Sequence, residues 1–281
     1  MSLQEVSGPG EGPYGVAIAD GDVWTTLVHA GAVVQVSAGV RYELGSAESR
    51  PMVITAATDG GGWFTRNGDD QVGRIDASGN VSQIAVAGAP YGICVGPDNA
   101  LWCTLMSTDQ IARITGSGEV TVFPIGVDGA FPAMITATDE LWFTLNQGNA
   151  IGRMTTAGEV TTYRLPTEGA GPVGISAGPS AVWFVEIMAD QAGRITADGK
   201  ISEFALPAGS KPHAVVATAD GGCWITLWGS GSLARLDASG AVVSVHPLGE
   251  ESEPHGLAVD SDGSVWVALE NGSLAHIHAG E

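Results

Sequence analysis

Residues 90–125 read PYGICVGPDNALWCTLMSTDQIARITGSGEVTVFPI. GICVGPD alternates apolar with small or polar residues, LWCTLM is apolar and rich in strand formers, QIARIT alternates, and EVTVFPI alternates again. Gly, Asp, Asn and Ser fall between these runs, where tight turns need them. No stretch repeats its apolar residues every three to four positions, so a helical repeat is excluded. Four short strands in about 40 residues are the size of one β-propeller blade.

The same unit occurs seven times. Trp102 belongs to the series Trp24, Trp63, Trp102, Trp142, Trp183, Trp224 and Trp266, spaced by 39, 39, 40, 41, 41 and 42 residues. A proline (Pro13, Pro51, Pro90, Pro132, Pro172, Pro212, Pro254) stands 10 to 12 residues before each. A Gly/Ala-Arg pair follows in five repeats: Gly73-Arg74, Ala112-Arg113, Gly152-Arg153, Gly193-Arg194 and Ala234-Arg235. Fixed-period self-similarity of this length marks a closed ring of blades. The expected fold is therefore all-β: a seven-bladed propeller with four antiparallel strands per blade, forming one domain over residues 1–281. The seventh repeat stops after its third strand, whereas SLQEVSG precedes the first proline and has no blade of its own. Residues 2–7 are expected to supply the missing strand and hide the open edges.

Composition agrees. Of 281 residues 41 are Gly and 14 Pro, which fits a chain made of turns. Charged residues are only 15%, and 11 Lys and Arg stand against 31 Asp and Glu, a net charge of −20. That balance excludes nucleic acid and anionic membrane surfaces as partners, because both would repel the chain. Cys94, Cys103 and Cys223 are an odd count in apolar runs, which predicts buried thiols rather than disulfides. The N-terminus has neither a basic n-region nor an apolar stretch, so a cytoplasmic protein is expected, and a closed ring predicts a monomer.

A residue type that recurs at one phase holds the blade, so the informative residues are polar ones that break the pattern. The position after the repeat proline reads Tyr14, Met52, Tyr91, Ala133, Val173, His213 and His255. It opens the innermost strand, so His213 and His255 fall on neighbouring blades at one mouth of the channel. Glu253 precedes Pro254 where the other blades have Gly12, Arg50, Ala89, Phe131, Gly171 and Lys211. Glu270 follows Trp266 by four residues, where Val28, Asn67, Met106, Asn146, Ile187 and Trp228 stand elsewhere. Antiparallel return of the second strand sets Glu270 beside Glu253 and His255. Two carboxylates facing two imidazoles suit a hard divalent metal and a general base.

The remaining candidates read differently. His276 occupies the Arg phase, and HxH at 276–278 lacks a third zinc ligand, so structural roles are expected for His276 and His278. His29 and His246 read as isolated and exposed. Glu186 is one residue out of phase with Glu270 and reads as a surface or rim carboxylate. Trp228 lies outside the Trp series at the blade-six rim beside His213, which suggests an aromatic wall for an apolar ligand.

PYGVAIADGDVWTT, VWFVEI, IGRMTTAGEVTTYRLP, KPHAV and EPHGL followed by WVALEN resemble the streptogramin B lyase (virginiamycin B lyase) family over the whole chain. The resemblance implies a seven-bladed propeller that linearises cyclic depsipeptide antibiotics by eliminating the lactone ester. It further implies His255 as general base, Glu253 and Glu270 as Mg²⁺ ligands, and His213 and Tyr14 as substrate-binding residues. Leu27, Leu105 and Leu145 depart from the Glu that such lyases often carry after the Trp-x-x unit, a difference expected to concern the scaffold and the rim. Two other readings fit the residues alone: a metal-dependent propeller hydrolase or lactonase, and a non-catalytic ligand- or protein-binding propeller, since the fold hosts many functions.

Overall fold

In a computed structural model, which describes residues 1–279, the chain forms seven four-stranded antiparallel sheets. The last two positions of the expected 1–281 domain lie outside the described residues. Six blades take four consecutive strands each, as in Pro90–Val95, Leu101–Leu105, Gln110–Ile114 and Val120–Pro124. The seventh combines Pro254–Val259, Val265–Leu269 and Ser273–Ile277 with the N-terminal strand Ser2–Glu5. Leu3 stands opposite Ala275 in that closing ladder, as the missing fourth strand predicted.

The core lies between blades. Trp102, Ile111, Ile135, Phe143 and Leu145 pack as one buried cluster across blades three and four, and comparable clusters fill the other wedges. Each repeat Trp is also a stacking platform. Arg guanidinium groups lie 4.8 to 5.8 Å over Trp63, Trp102, Trp142, Trp183 and Trp224. Fourth-strand rings stack on Trp24, Trp102, Trp142 and Trp183. The Gly/Ala before each Arg leaves room for a neighbouring ring; a Cβ on Gly152 would meet Phe143 at 2.1 Å. Burial pushes the unpaired thiols of Cys103 and Cys223 up to about 12, so they behave as small apolar side chains.

Two devices fix the inner strands. A threonine two residues after the repeat Trp reaches across to the next blade in five wedges. Its Oγ1 donates to the carbonyl of Met52, Tyr91, Ala133, Val173 or His255 at 2.5 to 2.8 Å. The pairing register also slips just after each inner-strand proline; Pro254 faces Leu269 but Leu257 faces Val267. This bulge re-aims the residue after the proline.

Candidate functional site

The bulge, the left-handed turn before it and the ring closure together build the site. The residue before each strand proline has φ between 42° and 63° in all seven blades, so its side chain leaves the backbone in the same sense each time. Glu253 takes that position in blade seven, and Glu270 N donates to Ser252 O at 3.0 Å just beyond the Pro254–Leu269 pair. The two carboxylates therefore face each other. Contact with Glu270 raises Glu253, helped by burial.

His255 sits beneath this pair and is 9% exposed. Its Nε2 lies 2.8 Å from Glu270 Oε2, and its ring is 4.5 Å from that of Tyr14 and 4.8 Å from that of His213. Burial lowers His255 despite Glu270, so the imidazole is neutral at pH 7. Burial, reinforced by His255, takes His213 down to about 3. Tyr14 Oη lies 3.3 Å from His213 Nε2 and makes a short hydrogen bond with Tyr91 Oη. Burial and Tyr91 hold the Tyr14 phenol well above its usual range, so it remains a donor. Glu270 goes the other way. Burial raises it, but hydrogen bonds from His255 and His29 outweigh that and bring it to about 2.

Gly256 makes the juxtaposition of blades seven and one possible. A Cβ there would come 2.5 Å from Tyr14 O and 3.1 Å from Gly15 Cα. Only a glycine lets the two inner strands approach closely enough to bring the Tyr14 and His255 rings together.

Tyr14, His213, His255, Glu253 and Glu270 thus come together as expected. Trp228 is offset: it lies under Lys211 Nζ, 5.4 Å away, in a groove of about 550 Å³ shared with Glu250, Glu251 and Glu253. That groove abuts Glu253 rather than His213.

Four expectations need correction. His29 is exposed but not isolated, because its Nε2 lies 3.0 Å from Glu270 Oε1. It shares a pocket of about 240 Å³ with Tyr14, Arg50, His255 and Glu270. Its signal in the sequence was position alone: it adjoins Val28, the blade-one counterpart of Glu270. His246 is neither isolated nor exposed; it stacks on Trp224 at 5.5 Å, where other blades place Tyr or Phe. Glu186 is not at the surface but fully buried, with no hydrogen-bond donor to either carboxyl oxygen among the described residues. Burial, then the facing Glu203 carboxylate, pushes it up to about 8, so Glu186 is held as the neutral acid that can donate to Glu203. Leu27, Leu105 and Leu145, at the same phase, are also fully buried, so the departure from Glu there concerns the wedges between blades and not the rim. His276 behaves as expected, stacking on Trp266 at 4.0 Å and 5° in place of an Arg.

Fold and site together define a closed propeller with a neutral, buried histidine beside paired carboxylates at one mouth of its channel. The pattern that defines the virginiamycin B lyase family matches residues 1–277, and the chain belongs to that family. A curated virginiamycin B lyase from Nocardia farcinica is 40% identical over 74 residues, which is 25% of this chain and 26% of that protein's length. The crystal structure of selenomethionine-substituted virginiamycin B lyase from Staphylococcus aureus is 36% identical and superposes with a TM-score of 0.92, covering 99% of each chain. A catalytically inactive His-to-Ala variant of the Staphylococcus aureus lyase, with quinupristin, is 35% identical with a TM-score of 0.93, again over 99% of each chain. Family and neighbours support a streptogramin B lyase-like function.

Proposed function

We propose that this protein is a Mg²⁺-dependent carbon–oxygen lyase that linearises streptogramin B-type cyclic depsipeptides by eliminative opening of the lactone ester. The observation that carries the reading is the neutral His255 imidazole, 2.8 Å from a carboxylate that is itself paired with a second one. Adjacent oxygens of Glu253 and Glu270 repel unless something positive lies between them, and such a donor set fits a hard divalent ion completed by water and substrate oxygens. When bound, Mg²⁺ would supply a Lewis acid for the carbonyl next to the carbon that loses its proton.

The protein's own groups handle the proton. His255 Nδ1 is buried without a partner, so Nε2 is the nitrogen that meets the pocket. The neutral imidazole removes the Cα proton of the esterified threonine, and Glu270, which Nε2 already contacts, stabilises the resulting imidazolium. The electron pair of the C–H bond becomes the Cα=Cβ bond, and the Cβ–O pair leaves with the carboxylate. His29 holds the other Glu270 oxygen throughout. Tyr14 and His213, both neutral, orient the ring through hydrogen bonds, and Trp228 offers it an apolar wall.

Incubation with a streptogramin B and Mg²⁺, followed by mass spectrometry, tests the reading. Elimination yields a linear product of unchanged mass, and a gain of one water would instead assign a hydrolase. His255→Ala should lose turnover by about 10²- to 10⁴-fold, the scale of a general base, while keeping its circular dichroism spectrum.

A further inference from the structure

Arg50 lines the pocket of about 240 Å³ that also holds Tyr14, His29, His255 and Glu270. The chain has nine arginines, and eight of them commit their guanidinium groups to the protein. Seven pair with carboxylates: Arg41 with Glu11, Arg66 with Asp69, Arg74 with Asp59, Arg113 with Asp98, Arg153 with Glu140, Arg164 with Glu168 and Arg235 with Asp220. Arg194 donates to Ala238 O. The Arg50 guanidinium alone makes no hydrogen bond or ion pair among the described residues, in a chain carrying 31 acidic groups. Its backbone does not account for it either. A φ of 45° is unfavourable for any residue with a Cβ, and Gly serves at this phase in two other blades. The stem passes close to Gly68, where a Cβ would lie 3.1 Å from Arg50 Cγ.

We infer that Arg50 binds the carboxylate released when the ring opens. This rests on the lyase reading. Elimination breaks the Cβ–O bond with its electron pair remaining on oxygen, so an ester oxygen becomes a full anion inside a site already lined by Glu253 and Glu270. An unpaired guanidinium on the same pocket offsets that repulsion and matches a carboxylate with two parallel N–H donors. His29 cannot serve, because Glu270 occupies its Nε2.

The test uses the full chain and a synthetic linear depsipeptide prepared in two forms, with a C-terminal carboxylate and with a carboxamide. Calorimetry should show that the wild-type protein prefers the acid by about ten- to a hundredfold. Arg50→Gln should erase the preference and leave amide affinity unchanged, and Arg50→Lys should keep part of it. An unchanged preference in Arg50→Gln, or none in the wild type, overturns the inference. Turnover of the cyclic substrate by the wild type is scored separately by mass. Its absence sinks the lyase reading whatever the acid–amide comparison gives, and normal turnover without an acid preference sinks only the role of Arg50.

Discussion

Glu270 answers to three neighbours at once: His255 on one oxygen, His29 on the other, and the Glu253 carboxyl beside it. Removing His29 frees one oxygen and lets the carboxylate rotate away from His255. His29→Ala should therefore lower kcat about tenfold, the scale of a misplaced orienting group, with an unchanged unfolding midpoint. Steady-state kinetics beside thermal denaturation would check this. Glu186 gives a second residue-scale expectation, concerning stability. Its pKa is about 8 when folded, against an ordinary 4.5, so between these values the native state holds a proton that the unfolded chain has lost. Its stabilising share is thus complete below about pH 4.5, declines as pH rises, and is gone above about pH 8. Glu186→Gln keeps the shape and removes the titration. The midpoint difference between variant and wild type should then grow in the variant's favour from pH 5 to pH 9; parallel curves would refute it.

At the scale of the strand, the bulge after each proline and the threonine that bridges to the next blade hold the side chains of the candidate site. Thr226 Oγ1 ties the His255 carbonyl to blade six, and Gly256 allows blade one to close against the other side. Gly256→Ala would push a methyl against Tyr14 O. It should cost about 1 to 3 kcal/mol, as overpacking does, and lower turnover more than Thr226→Ser, which retains the bridge. Chemical denaturation and kinetics on the two variants would show the ordering. The strands themselves were readable from alternation and turn residues, whereas the bulge was not. A register slip changes which way a side chain points without changing the residue pattern that forms the strand.

For the whole molecule, ring closure rests on Ser2–Glu5, whose residues are all exposed and contribute mainly backbone hydrogen bonds to Ser273–Ile277. Deleting residues 2–5 should leave six blades intact but uncover a strand edge next to the site. The expected result is a lower unfolding midpoint together with concentration-dependent association, seen by scanning calorimetry and light scattering. A truncated protein that stays monomeric at the wild-type midpoint would contradict this. The excess of acidic groups also has a whole-molecule consequence, because Arg50 and Lys211 stand out as cations on the rim that carries Glu253.

The sequence by itself determined the number of blades, their strands, the closing segment and the cluster of His213, Glu253, His255 and Glu270, to which the family resemblance added Tyr14. Repetition made this possible, since a residue that departs from five or six counterparts at one phase is visible without coordinates. Phase within a blade says little about contacts between blades, however. Only the tertiary structure turned His29 toward Glu270, buried Glu186 against Glu203, stacked His246 on Trp224, and left Arg50 without a partner in the pocket of His255. The first and last depend on how far the inner strands of neighbouring blades approach, a distance that Gly256 and the threonine bridges set, whereas the Glu186–Glu203 and His246–Trp224 contacts form across the second and fourth strands of one blade.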